Sequence, residues 1–189
     1  MDQTGCSEDL ARTLLMTSSW DVLSAVENCQ DTFMREKLNF ELVVRDKQSV
    51  TDFYCPSCYC ECEPDEIHTM SDCGHMICKD CLKEYIFQKL GEGIKVVYTK
   101  CFSAPCGNLV PQRVFKENLD KFSYNKYLYY VKDAFIEASK EFKWCPGLGC
   151  SRFAGIKAKQ AIDVECDCGK YFCSGCSNKG HQPSDCDLY

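Results

Sequence analysis

Closely spaced pairs of metal-type ligands dominate this 189-residue sequence, which contains 18 cysteines. Fourteen cysteines and two of the three histidines form eight pairs, and one to four residues separate the members of each pair. So many soft ligands predict that the chain folds around cross-links or metal ions, because short modules of this kind bury too little apolar surface to fold without them.

Metal is favoured over disulfide bonds because the sequence predicts a reducing compartment. The N-terminus, MDQTGCSEDL, is polar and acidic and has neither the basic nor the apolar region of a secretory signal. No run of 18 apolar residues predicts a helix that spans a membrane. We therefore expect a cytoplasmic protein, with the nucleus as a second location, whose thiols stay reduced and bind metal.

The net charge of −6 argues against nucleic acid and against an anionic membrane surface as binding partners. The expected partner is therefore another protein.

Zinc is the metal that these ligands favour. It takes four tetrahedral ligands and prefers thiolate sulfur and imidazole nitrogen, so sixteen ligands predict four zinc ions in closed, structural sites. An iron–sulfur cluster is the main alternative, and the two histidines argue against it. The sixteen predicted ligands are Cys55, Cys58, Cys73, His75, Cys78, Cys81, Cys101, Cys106, Cys145, Cys150, Cys166, Cys168, Cys173, Cys176, His181 and Cys186.

Apolar spacing outside the ligand pairs predicts helices and a short strand. Residues 1–45 read as a small bundle of three helical segments, one of them capped by Ser19, and residues 46–54 read as a linker. The segment Ile94–Tyr98 predicts a strand. Aromatic and apolar residues at helical spacing in 127–142 predict a helix that continues to the end of that range.

The two clusters of ligands resemble a known family of zinc proteins. The first, with a 19-residue gap between Cys81 and Cys101, resembles a RING finger; the second, with KWCP (143–146), CDCGKYFCSGC (166–176) and HQPSDC (181–186), resembles an in-between-RING (IBR) domain. Their order is similar to that in RING-between-RING (RBR) ubiquitin ligases of the Ariadne type. The resemblance implies small zinc-stabilised α+β modules: a ubiquitin-associated-like helical region (1–45), a RING finger (55–110), a helical connector (111–144) and an IBR domain (145–189).

The resemblance also implies how the ligand pairs combine, which spacing alone leaves open. Two sites interleave in a RING finger, whereas the sites of an IBR domain follow one another along the chain. The implied sets are Cys55, Cys58, Cys78 and Cys81; Cys73, His75, Cys101 and Cys106; Cys145, Cys150, Cys166 and Cys168; and Cys173, Cys176, His181 and Cys186.

The family implies a role in ubiquitin transfer, with a ubiquitin-conjugating enzyme and ubiquitin as partners. The first RING docks the charged enzyme, and a cysteine in a second RING accepts ubiquitin before it passes to a substrate lysine. Docking is expected at Pro56, Ser57 and Pro105, although Ser57 stands where RING fingers commonly carry an apolar residue. Gly180 stands where the family often has tryptophan, which predicts weaker packing at the last zinc site.

A second RING and its catalytic cysteine are not expected within these residues, so no catalytic residue is assigned. Four cysteines are left over, and acidic neighbours or a helix C-terminus oppose their ionisation; they are Cys6, Cys29, Cys60 and Cys62. We therefore predict that the chain forms no thioester with ubiquitin, and we place His68 in a surface loop. Two other functions stay open: an adaptor that binds conjugating enzyme or ubiquitin without catalysis, and a zinc scaffold that reads chromatin. No substrate protein is assigned.

Overall fold

The computed structural model describes residues 8–30, 52–71, 73–139, 141–156 and 161–188. The chain divides into two compact units, Met1–Val131 and Lys132–Tyr189. The third segment of the predicted N-terminal bundle and residues 46–51 of the predicted linker lie outside the described residues, whereas residues 52–54 of that linker are described.

The described part of the N-terminal region forms two helices that contact each other, α1 (Glu8–Thr17) and α2 (Val22–Gln30). A tight turn joins them, with Trp20 in the left-handed region at a φ of 64°. Asp21, not the predicted Ser19, caps α2, because the Asp21 carboxylate accepts a hydrogen bond of 2.7 Å from the backbone N–H of Ser24. Ser19 is instead used in the turn itself, with a φ of 52°.

Two short hairpins and a helix follow in the first unit. Strand β1 (Phe53–Tyr54) pairs with β2 (Glu61–Cys62), and β3 (Ile67–Thr69) pairs with β4 (Met76–Cys78), both antiparallel. Helix α3 (Lys79–Leu90) begins directly after β4 and buries Leu82, Ile86 and Leu90. These side chains of α3 belong to the buried apolar core of the first unit.

The predicted strand at Ile94–Tyr98 is wrong: Gly93–Tyr98 forms a 3₁₀ helix. The neighbouring side chains of Val96 and Val97 are both buried, at 0% and 3% exposure. Successive residues of a strand point to opposite faces, whereas a tight helical turn can bury two neighbours against the same core.

Helix α4 (Gln112–Asn118) and the longer helix α5 (Lys121–Ala138) follow the 3₁₀ helix. Tyr127 of α5 is 1% exposed and its ring stacks on Phe115 of α4 at a centroid distance of 4.1 Å. The Arg12 guanidinium donates a 2.8 Å hydrogen bond to the Tyr127 hydroxyl, which ties α1 to α5. Burial raises the pKa of Tyr127 to about 12.

The helix predicted over 127–142 ends earlier, at Ala138. Phe142 instead begins β5 (Phe142–Trp144), which pairs antiparallel with β6 (Phe153–Gly155). Helical spacing predicted that Phe142 lies on the same helix face as Phe135. Its backbone instead pairs with Gly155, and its ring packs against the Phe135 ring from outside the helix, at a centroid distance of 5.5 Å.

The second unit contains one further hairpin, β7 (Asp163–Glu165) with β8 (Tyr171–Cys173), and a closing 3₁₀ turn at Cys186–Leu188. Phe172, in β8, is fully buried. The predicted fold class is confirmed: helices and two-stranded sheets form small modules around Cys/His clusters. Among the described helices, none is long and apolar enough to cross a membrane.

Candidate metal centres and docking groove

The sixteen predicted ligands gather into four clusters, and these are the same four sets that the resemblance implied. Within each cluster the ligand atoms all lie within 4.8 Å of one another. Tetrahedral zinc with bonds of about 2.3 Å places sulfur atoms about 3.8 Å apart. Sulfur–sulfur distances from 3.5 Å in the third cluster to 4.0 Å in the first therefore suit that geometry.

Site 1 combines Cys55, Cys58, Cys78 and Cys81. Cys55 and Cys58 lie in a tight knuckle, in which Tyr59 has a φ of 60° and donates its backbone N–H to the Cys55 carbonyl at 2.9 Å. Cys78 is the N-cap residue of α3, and its sulfur accepts the Cys81 N–H at 3.4 Å. The helix start therefore fixes one ligand pair, and the knuckle fixes the other.

Site 2 combines Cys73 and His75, in the turn between β3 and β4, with Cys101 and Cys106 from the loop after the 3₁₀ helix. Gly74 has a φ of 69°, which allows the turn to present both of its neighbours to one point. The Nδ1 atom of His75 lies 3.7 Å from the Cys101 sulfur, so Nδ1 is the nitrogen that faces the cluster.

Site 3 combines Cys145, Cys150, Cys166 and Cys168. Gly147 lies where a Cβ atom would come within 3.2 Å of the Cys168 sulfur and 3.3 Å of the Cys145 sulfur. Its backbone N–H donates to the Cys145 sulfur at 3.4 Å. A glycine at this position lets the backbone approach the cluster and stabilise a thiolate directly.

Site 4 combines Cys173, Cys176, His181 and Cys186. The Cys173–Cys176 pair repeats the knuckle of site 1: Ser177 has a φ of 62° and donates its N–H to the Cys173 carbonyl at 2.9 Å. His181 faces the cluster with Nε2, 3.3 Å from the Cys176 sulfur. Its Nδ1 lies 2.8 Å from the Ser184 carbonyl, an arrangement that fixes the imidazole tautomer needed for a ligand.

Comparisons with known proteins agree with this geometry. Residues 125–186 match the family model described as "IBR domain, a half RING-finger domain". The chain is 33% identical over 147 residues to the probable E3 ubiquitin-protein ligase ARI10 of Arabidopsis thaliana, covering 78% of this chain and 28% of that protein. It is 28% identical over 190 residues to human E3 ubiquitin-protein ligase ARIH1, covering 94% of this chain and 34% of that protein.

The chain is an RBR protein of the Ariadne type. It spans about a third or less of the length of these relatives. A solved structure of Pediculus humanus Parkin bound to phospho-ubiquitin has the same fold over 70% of this chain and 46% of that one, with a TM-score of 0.55 and 24% identity. The domain boundaries assigned from the sequence stay predictions.

This Ariadne-type chain has a groove of about 540 Å³ beside sites 1 and 2. Pro56 and Ser57, both predicted to contact a partner, line it, whereas the third predicted residue, Pro105, follows the lining residue Ala104 in sequence and is not among the lining residues. Sequence reasoning missed five of the side chains that complete the groove; these are Met76, Ile77, Tyr85, Phe102 and Ala104. Phe102 and Ala104 lie between two ligands, a position that could have drawn attention to them.

Three of the four left-over cysteines lie among the described residues, and Cys6 does not. Cys29 is buried at the end of α2. Interaction with the Cys58 thiol raises the pKa of the exposed Cys60, and burial raises the pKa of Cys62. Both pKa values are raised, as predicted. The main cause is the neighbouring thiol for Cys60 and burial for Cys62, rather than nearby carboxylates.

His68 does not lie in a loop as predicted. It belongs to β3, opposite Ile77 of β4, and is partly buried there. Burial lowers the pKa of His68, so the neutral imidazole is favoured.

Proposed function

We propose that this chain acts in protein ubiquitination as part of an RBR E3 ubiquitin ligase, and that its RING region recruits a ubiquitin-charged conjugating enzyme. The observation that carries the proposal is the groove, which the loops of sites 1 and 2 border and which Pro56 and Ser57 line. The relatives named as E3 ubiquitin ligases support the same role.

The groove offers apolar surface from Met76, Phe102 and Ala104 to an apolar side chain of the partner. Ser57 adds a hydroxyl where an aliphatic side chain would add contact area. One such missing contact costs roughly 1–3 kcal/mol of binding free energy, so docking by the native chain is expected to be weak and transient.

A titration of the zinc-loaded 189-residue chain with a panel of conjugating enzymes, followed by NMR, tests this docking. We expect micromolar affinity for at least one enzyme, and Ser57→Ile should tighten it about tenfold by restoring apolar contact. Ser151→Ile, at an exposed position beside a ligand of site 3, is the matched control and should leave the affinity unchanged. Absence of binding by the native chain and by Ser57→Ile would contradict the proposed role.

The four clusters are proposed to hold four zinc ions that stabilise the modules. Each set offers four thiolate or imidazole ligands, which completes a tetrahedron and leaves no position for substrate. Bound zinc would supply cross-links whose binding free energy contributes to folding. The location that we propose is the cytoplasm, with the nucleus as a second one, because thiols stay reduced there and can bind metal.

A second candidate function is an adaptor that binds conjugating enzyme or ubiquitin and accepts no ubiquitin itself. The observation that favours it is the state of the spare thiols: Cys29 and Cys62 are buried, and the pKa of Cys60 is raised. Discharge of a charged conjugating enzyme onto free lysine separates the two functions. A ligase region should accelerate the discharge, whereas a passive adaptor should leave its rate unchanged.

A further inference from the structure

One carboxylate in the second unit holds the backbone of a metal-type ligand. Asp163, the first residue of β7, accepts the backbone N–H of His181 on Oδ1 at 3.2 Å. Its Oδ2 atom accepts the backbone N–H of the next residue, Gln182, at 2.9 Å. Two consecutive N–H groups of the ligand segment are therefore bound to a single side chain on a neighbouring strand.

The side chain of Tyr171 completes this arrangement from β8. Its hydroxyl donates to the Asp163 Oδ2 atom at 3.1 Å. Its ring lies against Gly180, where an added Cβ would be 2.1 Å from Cε1 of the ring and 2.9 Å from the Asp163 Oδ2 atom. Any larger residue at Gly180 would therefore displace the ring or the carboxylate. We call Asp163, Tyr171 and Gly180 the Asp163 clamp.

The clamp explains how the chain accommodates glycine at position 180, where the sequence predicted weaker packing because the family often has tryptophan there. The Tyr171 ring occupies the space that a side chain at position 180 would need. The absent side chain at Gly180 is thus matched by a ring supplied from the neighbouring strand.

The ligand segment needs such support because it has little regular structure of its own. Between the Cys173–Cys176 knuckle and the 3₁₀ turn at Cys186–Leu188, it contains no described strand or helix, and it pairs with the hairpin only around Lys179, which bridges to Phe172, with the Asn178 carbonyl accepting the Cys173 N–H at 2.9 Å. Cys173 and Cys176 are fixed by their knuckle, whereas His181 arrives from this irregular segment. The imidazole is oriented by Ser184 on one side, and the backbone beneath it is held by Asp163.

We propose that Asp163 is a positioning residue for site 4, which holds the His181–Gln182 backbone so that the imidazole Nε2 atom stays at the metal, and that Tyr171 and Gly180 hold the carboxylate in place. This inference rests on the proposed zinc occupancy. Outer partners of metal ligands typically change metal affinity by about 10- to 100-fold.

The test compares zinc release from the two histidine-containing sites of the same folded chain. Long-range ¹H–¹⁵N NMR spectra distinguish metal-bound from free imidazole nitrogens, so His181 reports site 4, and His75 of site 2 serves as an internal reference. With a chelator present, Asp163→Asn should release zinc from His181 at least about 10-fold faster than the native chain, with the His75 signal unchanged. Asparagine keeps the size of the side chain but replaces one accepting oxygen with an N–H donor.

Glu165→Gln is the matched control, because Glu165 is an exposed carboxylate on the same strand and loses the same charge. It should release zinc at the native rate. Equal release from His181 in the native chain and in Asp163→Asn would overturn the inference. A native chain in which His181 shows no metal-bound signal would instead overturn the proposed zinc occupancy.

A second variant guards against general unfolding of the second unit, which would release zinc from site 3 as well. Gly180→Ala should loosen site 4 by pushing the Tyr171 ring away, whereas Gly107→Ala, where an added Cβ meets nothing within 4 Å, should not. If Asp163→Asn lost two zinc ions together, the Gly180→Ala result would decide: faster release at His181 with the loss of one zinc ion per chain supports the clamp, and release at the native rate overturns it.

Discussion

At the scale of single residues, cysteines that are close neighbours in sequence have different roles. Cys58 lies in site 1, whereas Cys60, two residues later, belongs to none of the four clusters. The Cys55 N–H donates to the Cys60 carbonyl at 2.9 Å, so the backbone of Cys60, rather than its sulfur, supports the site.

Substitution of cysteine by serine tests this division. Cys60→Ser and Cys62→Ser should leave the ratio of zinc to protein near four, since neither sulfur belongs to a cluster. Cys73→Ser or Cys173→Ser should each lower the ratio and unfold the local module, because metal binding contributes to folding there. Elemental analysis of the purified variants gives the ratio. A native ratio near two, or iron in place of zinc, would contradict the assignment.

The buried hydroxyl of Tyr127 is a second residue whose role can be measured. Tyr127→Phe keeps the ring that stacks on Phe115 but removes the acceptor for the Arg12 guanidinium. A buried donor without its partner costs about 1–3 kcal/mol, so we expect the free energy of unfolding to fall by that amount. Chemical denaturation measures it. Tyr129→Phe, on the exposed side of α5, is the control, and an equal effect of both variants would argue against a specific Arg12–Tyr127 contribution.

At the scale of elements, one helix start and two cysteine knuckles position metal-type ligands. Helix α3 begins at a metal-type ligand, because the Cys78 sulfur takes the place of an N-cap oxygen. The knuckles at Cys55–Cys58 and Cys173–Cys176 share one pattern, with a residue at positive φ directly after the second cysteine. Local backbone geometry therefore positions the members of these three ligand pairs next to each other.

Helix α5 begins with a conventional cap that can be removed. The Asp120 carboxylate accepts the backbone N–H groups of Phe122 at 2.8 Å and Ser123 at 3.1 Å. Asp120→Ala should leave both groups without this acceptor, so that the first turn frays and its amide hydrogens exchange faster with solvent. Asp120→Asn keeps an acceptor oxygen and should retain most of the protection. Unchanged exchange in Asp120→Ala would show that the cap does not stabilise the turn.

At the scale of the whole molecule, the spare thiols decide whether this chain can carry ubiquitin. A thiolate must form and be reached by a charged conjugating enzyme. Cys29 and Cys62 are buried, and the exposed Cys60 has a raised pKa, so none of the three described thiols combines access with easy ionisation.

We therefore expect no thioester between the 189-residue chain and ubiquitin. Mixing the chain with a ubiquitin-charged conjugating enzyme and running a non-reducing gel provides the measurement. A band shifted by one ubiquitin that disappears with reductant would refute the expectation. Serine variants at Cys6, Cys29, Cys60 and Cys62 would then identify the acceptor.

The sequence by itself determined the ligand types, their eight pairs and the kind of small module they form. The reason is that a metal-type pair is a local feature: one to four residues of spacing are enough to place two ligands on one turn. The same locality explains why the helix at 127–142 was found but its end was not. Phe142 fits the helical spacing, but it lies in β5 because it pairs with β6, a strand that begins eleven residues later, at Phe153.

Only the tertiary structure decided how distant parts meet. In the polypeptide, Asp163 and His181 are 18 residues apart, and no spacing rule joins a carboxylate on β7 to the backbone of a ligand beyond β8. The groove likewise gathers Pro56, Tyr85 and Phe102 from separate segments. Contacts of this kind depend on the path of the chain between elements, which β pairing and core burial set together, and the local pattern of residues does not encode that path.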